Sequence, residues 1–146
     1  MILRLIVATI VGFIVSFGGG FVIYGLLLGP MFIEPNLHVY TNEYGNLMKE
    51  PPSVIPLILA NLTFPFLIAL IFEKWANIRT FATGAMAGAI IFFLTTLYVG
   101  FSFFAFFRLY KSFTPLLADL AGSIVLGALV GGVIGLVLGL MTKKES

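Results

Sequence analysis

The chain has 146 residues, of which 60% are hydrophobic and 10% are charged, and its formal net charge is +2. Soluble domains contain about 45–50% apolar and about 25% charged residues, so this composition excludes an ordinary water-soluble protein. The few basic residues are too sparse to bind nucleic acid. The absence of Cys excludes disulfides, iron–sulfur clusters and thiol chemistry, and the single His excludes two-His ligation of a metal or haem. We therefore expect no cofactor and no metal.

Four apolar stretches alternate with polar segments along the chain, at residues 5–28, 54–72, 81–107 and 115–141. About 20 residues of helix cover the ~30 Å hydrocarbon core of a bilayer, so each stretch is long enough to cross it. These stretches leave no room for a separate soluble domain. The sequence predicts an all-α integral membrane four-helix bundle, a single transmembrane domain over residues 1–146 whose partner is the lipid bilayer.

The first apolar stretch is too long for the apolar part of a signal peptide and ends at Gly29 and Pro30 without a small-x-small cleavage pattern. We interpret it as a retained helix. With four crossings, Arg4, Arg79 and three lysines share one side, against three basic residues on the other. This excess predicts that both termini are cytoplasmic.

An outer loop over residues 29–52 would then join the first two spans. Its prolines and its turn-prone run at residues 42–46 disfavour a continuous helix, although a short strand or helical turn remains compatible. His38 in this loop is interpreted as a solvated histidine rather than a metal ligand or pH switch.

Small residues recur every fourth position in two spans. In lipid, apolar helices associate through close packing at such residues, because lipid tails are as apolar as the side chains. We expect the helix-packing positions to be Gly127, Gly131, Gly135 and Gly139 in the fourth span and Gly12, Ser16 and Gly20 in the first. Gly84 and Gly88 open the third span on a similar ridge. The contacts lie within the chain, between chains, or both; packing within the chain is the simpler interpretation. The run Gly18–Gly20 indicates either a bend or a close contact.

Polar residues inside the spans form a second group. By depth, Tyr24, Asn61, Tyr98 and Asp119 all fall in the outer half of the predicted bundle. They are the candidate lining of an outward-opening polar cavity, roofed by the 29–52 loop and bordered by Phe101, Phe103 and Phe104. Asp119 either contacts an ion, a proton or a substrate, or forms a structural ion pair or an interhelical hydrogen bond. Pro65 frees the backbone carbonyl of Asn61, which indicates either an ion ligand or a simple kink.

The segment Gly25–Phe32 that closes the first span, the polar outer loop, Gly84 and Gly88, and the Gly-rich fourth span together resemble small four-span bacterial membrane proteins of uncharacterised families. The resemblance rests on hydropathy and glycine placement. It implies a bundle in the bacterial inner (cytoplasmic) membrane and carries no activity or catalytic residue.

No nucleophile–base pair or metal set is apparent, so we expect the protein not to be an enzyme. The leading hypothesis is association through helix packing, as a homo-oligomer or as a subunit of a membrane complex. The alternative is a small transporter or channel subunit with an outward-facing cavity around Asp119 and Asn61.

Overall fold

The computed structural model describes residues 1–38, 41–42, 45–46, 49 and 51–145, and it contains four helices long and apolar enough to cross a membrane. In the predicted outer loop, Tyr40, Glu43, Tyr44 and Glu50 lie outside the described residues. The side chains of Lys143 and Lys144, counted above for orientation, lie outside them as well.

The helices are α1 (Ile2–Gly20), α2 (Val54–Ile71), α3 (Phe81–Phe106) and α4 (Thr114–Glu145). A π-helix (Phe21–Ile33) and a 3₁₀ turn (Glu34–Asn36) continue α1, and a second π-helix (Phe72–Ala76) continues α2. Two strands of two residues each, β1 (Thr41–Asn42) and β2 (Gly45–Asn46), pair antiparallel.

The first helical segment differs from the prediction, because it continues past Pro30 instead of ending at residue 28. In an α-helix, the ring of Pro30 would clash with the carbonyl four residues earlier. The wider π-helix bonds five residues back, as the Glu34 N–H does to the Gly29 carbonyl. The change from α- to π-helix follows directly after Gly20, so the glycine run marks an irregularity. A Cβ on Gly19 would also lie 2.9 Å from Leu126, whereas Gly18 contacts nothing within 4 Å.

α4 is the central helix. In the 18-residue apolar stretch of α4, 50% of the residues are buried, compared with 11–22% in the corresponding stretches of the other three helical segments. Its most buried apolar residues, Val130, Ile134 and Leu138, recur every fourth residue and form one ridge. On one side of α4 lies α3, and on the other lies α1, against which α2 packs.

The α3–α4 crossing is made by glycine backbones. A Cβ on Gly84 would meet the Gly131 carbonyl, and one on Gly88 would meet the Gly127 carbonyl and, at 2.8 Å, the Cα of Gly131. A Cβ on Gly135 would lie 2.5 Å from the Thr80 carbonyl oxygen. The glycines at these positions therefore allow two backbones to touch within one chain.

The other predicted packing positions also face neighbours in the same chain. A Cβ on Gly12 would lie 2.7 Å from the Ile134 side chain, and Ser16 is buried. A Cβ on Gly139 would meet the backbone of Arg79. Gly20 is looser, with Leu126 at an ordinary 3.9 Å from its added Cβ.

The bundle has two different ends. We call the end that holds Ile2 and the α2–α3 turn the terminal end, and the opposite one the loop end. Core side chains such as Ala8, Ile68 and Phe72 are fully buried toward the terminal end. Toward the loop end, every residue from 51 to 60 is exposed, so the first two turns of α2 pack on little of this chain. The bundle is consequently tight at the terminal end and open at the loop end.

A strap closes part of the loop end. Leu37 and Tyr110 form an antiparallel bridge, the His38 N–H donates to the Leu109 carbonyl at 2.8 Å, and the Lys111 N–H donates to the Asn36 carbonyl at 2.8 Å. The Ser112 hydroxyl also donates to the Asn36 side-chain oxygen at 3.0 Å. The segment after the first helix is thus fixed to the α3–α4 loop.

Candidate functional site

A pocket of about 270 Å³ lies between α3 and α4, just beneath the strap. Asp119 of α4 and Tyr110 of the α3–α4 loop supply its ionisable groups. The rest of its lining comes from one side of α3, namely Thr95, Thr96, Val99, Gly100 and Phe103. We call this space the acidic pocket.

Local structure explains how the pocket is built. α4 starts at Thr114, so Asp119 lies in its second turn, near the end where the helix dipole favours negative charge. The bridge between Leu37 and Tyr110 fixes the backbone at the tyrosine. The Tyr110 ring also stacks on Phe104, with 5.8 Å between the ring centroids.

Asp119 carries the negative charge of the pocket. Within the described part of the chain, the carboxylate that forms ion pairs is that of Glu73, and no basic side chain lies within 4 Å of the Asp119 carboxylate. Thr95 directs its hydroxyl proton to the Ile91 carbonyl at 2.7 Å, which leaves its oxygen lone pairs as acceptors. The pocket therefore combines one carboxylate with neutral hydroxyls, and the structure shows no basic partner for that carboxylate among the described residues.

Tyr110 responds electrostatically to this carboxylate. Burial raises the pKa of the Tyr110 phenol above its ordinary value of 10.0, and the negative charge of Asp119 raises it further. The phenol therefore keeps its proton at neutral pH and acts as a hydroxyl in the pocket.

Tyr24 connects the acidic pocket with a larger space. Its hydroxyl donates to the Asp119 backbone carbonyl at 3.2 Å and interacts with the Asp119 side chain. Tyr24 also lines a cavity of about 560 Å³, the apolar cavity, whose walls come mainly from the first helical segment and α2, with one residue each from α3 and α4. The remaining lining residues are Ser16, Phe17, Gly20, Phe21, Leu57, Ala60, Asn61, Phe64, Phe92 and Leu126.

The four predicted site residues are thus distributed over different places. Tyr24 and Asn61 share the apolar cavity, and Tyr24 contacts Asp119, which lines the acidic pocket. The Asn61 side-chain amide donates to the Leu57 carbonyl of its own helix at 2.9 Å. Tyr98 is 75% exposed and lies with Phe101 on an outer surface of α3, so it joins neither space.

The aromatic residues predicted to border the cavity also lie in different places. Phe103 lines the acidic pocket, and Phe104 stacks on Phe113 with ring centroids 4.2 Å apart. The strap at Asn36–His38 supplies part of the predicted roof. The sequence analysis did not place Tyr110 in the site. The only signal was its position in the short loop before Asp119, because the bridge that fixes it joins distant segments.

A second polar cluster lies at the terminal end. The Glu73 carboxylate is 2.8 Å from Arg79 Nη2 and 3.5 Å from Arg4 Nη2, and Arg4 Nη1 donates to the Thr142 hydroxyl at 2.8 Å. Arg79 also donates to the Ile78 carbonyl at 3.3 Å. This ionic cluster ties together α1, α2, the α2–α3 turn and α4. The sequence analysis treats both arginines only as signals of orientation.

Comparisons with protein-family models, with curated proteins and with solved structures find no match to this chain. The resemblance to small four-span bacterial membrane proteins therefore stays a prediction. What the site can do is argued from its own chemistry.

Proposed function

We propose that the chain is an integral membrane protein that crosses the cytoplasmic membrane four times with both termini in the cytoplasm. We further propose that it is a non-enzymatic carrier or channel subunit whose acidic pocket binds a monovalent cation. The membrane part of the proposal is supported by four helical segments that meet the length and hydropathy needed for crossing. The binding part is supported by Asp119.

The position of Asp119 carries the proposal. It is the only charged residue from Pro115 to Met141, a stretch of α4 that is almost entirely apolar. An ionised carboxylate inside a membrane span is costly even near the end of the span, and such residues typically mark ion and substrate paths. A cation bound beside the carboxylate would offset this cost.

The donor set favours a monovalent cation. Within the described residues, no group of three or more His, Asp or Glu could share a metal ion. Divalent ions prefer several oxygen ligands with more negative charge than one carboxylate provides. One carboxylate with neutral hydroxyls matches the charge and the hydrogen-bonding capacity of an ammonium group.

Equilibrium binding of radiolabelled methylammonium to the purified protein in mild detergent tests the proposal. We expect Asp119→Asn to weaken binding at least about tenfold, because a charge-assisted hydrogen bond contributes roughly 1.5–3 kcal/mol. Glu34→Gln is the matched control, since Glu34 is an exposed acid near the loop end that does not line the pocket. Equal binding by the wild type and Asp119→Asn, or no binding by the wild type, would contradict the proposal.

Self-association is the second candidate function, and the exposed residues 51–60 favour it. The close α3–α4 glycine contacts lie within the chain, so they give no evidence for a dimer. The first turns of α2 are the surface that a second copy would cover, because close packing there would replace looser contact with lipid.

Disulfide cross-linking in vesicles tests self-association, because the native chain has no Cys. We expect Ile58→Cys on α2 to form a dimer on oxidation, and Ile90→Cys, exposed on α3, not to do so. Equal cross-linking of the two variants at high dilution in lipid would exclude α2 as the specific contact surface.

A further inference from the structure

The acidic pocket and the apolar cavity follow one another along the same two helices. On α4, Asp119 lines the first and Leu126 the second. Seven residues are close to two full turns, so both side chains lie on one face, about 10 Å apart along the axis. On α3, Thr96 lines the acidic pocket and Phe92, one turn away, lines the apolar cavity.

Tyr24 lies at the junction of the two spaces. Its ring lines the apolar cavity while its hydroxyl donates to the Asp119 carbonyl. The Tyr24 side chain therefore separates Asp119 from the apolar cavity, and a molecule that occupied both spaces would contact this ring.

The two spaces differ in chemistry and in size. The smaller, of about 270 Å³, holds the carboxylate and hydroxyls, whereas the larger, of about 560 Å³, is lined mostly by apolar residues, among them four phenylalanines. The larger volume lies within the 300–1,000 Å³ typical of small-molecule sites. The Asn61 side-chain N–H already donates to the Leu57 carbonyl, so a ligand in this cavity need not accept a hydrogen bond from it.

We infer that the ligand is an amphiphilic cation, whose ammonium head binds in the acidic pocket and whose aliphatic tail occupies the apolar cavity. The head position rests on the proposed function, and the tail position is the new element. The negative charge of Asp119 attracts the ammonium head, so the head is the end of the ligand that lies near the strap.

The open side of the bundle gives such a ligand its route. The exposed first turns of α2 border the apolar cavity through Leu57 and Ala60. On this route, a tail already dissolved in the bilayer would reach the apolar cavity past the exposed Leu57 and Ala60 without passing through water. Because lipid is as apolar as the cavity, tail selectivity comes from packing against the aromatic wall rather than from leaving water.

Competition binding tests the inference with dodecylammonium as the long probe and methylammonium as the short one, with dodecylammonium expressed as its mole fraction in the micelle. Ala60→Trp adds bulk to the wall of the apolar cavity at a position that does not line the acidic pocket. We expect it to weaken dodecylammonium binding at least tenfold and to leave methylammonium binding unchanged. Leu57→Trp, on the same wall, should act in the same way, and Ile90→Trp, which lines neither space, is the matched control. Asp119→Asn should weaken both probes.

The outcomes separate the two ideas. Both tryptophan variants on the cavity wall are first checked for the size-exclusion elution volume and melting temperature of the wild type. If their dodecylammonium affinity is unchanged, the inference is overturned and cation binding remains. If methylammonium fails to bind while dodecylammonium binds through Asp119, the small-cation part of the proposed function is wrong and the inference stands. Binding of dodecanol as tight as that of dodecylammonium would overturn both, because it would remove the role of the charge.

Discussion

Asp119 and Tyr110 line one pocket from two different elements, a helix and the loop before it. The negative charge of Asp119 contributes to the raised pKa of the Tyr110 phenol, since it disfavours a second negative charge nearby. The interaction provides a probe of the pocket that does not require a ligand.

We predict that Asp119→Asn lowers the pKa of Tyr110 toward its ordinary value of 10.0 and leaves it raised by burial alone. The sign follows because the removed carboxylate opposes formation of the phenolate. Ultraviolet titration of tyrosinate near 295 nm measures this shift, with a Tyr110→Phe spectrum subtracted to isolate one phenol. A Tyr110 pKa unaffected by Asp119→Asn would mean that the carboxylate is not directed at this pocket.

Sequence reasoning selected Asp119, Tyr24 and Asn61 as candidates because ionisable and polar residues are rare within apolar helices. It grouped them with Tyr98 by depth alone. Depth along a helix does not determine direction around it, and Tyr98 points away from α4. Tyr110 was outside the reach of this reasoning, because hydrogen bonds to the distant residues 36–38 position its loop.

At the scale of elements, the α3–α4 contact depends on glycines that leave no room for a side chain. We predict that Gly131→Ala lowers the free energy of unfolding by about 1–3 kcal/mol, the usual cost of overpacking. The reason is that its Cβ would lie 2.7 Å from the Cα of Gly88 and meet the Gly84 carbonyl. Reversible denaturation in mixed micelles measures the change.

Gly18→Ala is the matched control, because nothing lies within 4 Å of a Cβ at that position. It should leave stability unchanged or raise it by up to about 1 kcal/mol, as expected from helix propensity. Equal destabilisation by the two variants would show that helix propensity, rather than the close crossing, determines the effect.

The sequence determined the bounds of α2, α3 and α4 to within a few residues, because polar residues flank each apolar stretch. It missed the π-helix after Gly20. Hydropathy does not depend on whether each backbone N–H donates to the carbonyl four residues earlier, as in an α-helix, or five residues earlier, as in a π-helix. Pro30, in turn, indicated that the helix ends.

At the scale of the whole molecule, one end is closed and the other is open. The ionic cluster around Glu73 joins α1, α2 and the α2–α3 turn at the terminal end, whereas the two cavities lie toward the loop end. A carrier needs one end to stay closed while the other admits ligand, and this asymmetry is consistent with that role.

We predict that Glu73→Gln lowers the free energy of unfolding by about 2–3 kcal/mol, because it leaves two partly buried arginines without their shared carboxylate. Lys74→Gln is the control, since Lys74 is adjacent and exposed. Chemical denaturation of the three proteins gives the comparison. A loss of stability in the Lys74 variant as large as in the Glu73 variant would attribute the effect to net charge instead of the cluster.

The proposed topology, which places the acidic pocket on the outer side of the membrane and the terminal end in the cytoplasm, is tested most directly by thiol accessibility in intact cells. Thr96→Cys lies in the acidic pocket, and Asn77→Cys lies in the α2–α3 turn at the terminal end. A membrane-impermeant cationic thiol reagent added outside should modify Thr96→Cys and be slowed by dodecylammonium, whereas Asn77→Cys should react only after permeabilisation. Rapid modification of Asn77→Cys from outside, with Thr96→Cys unreactive, would contradict the account.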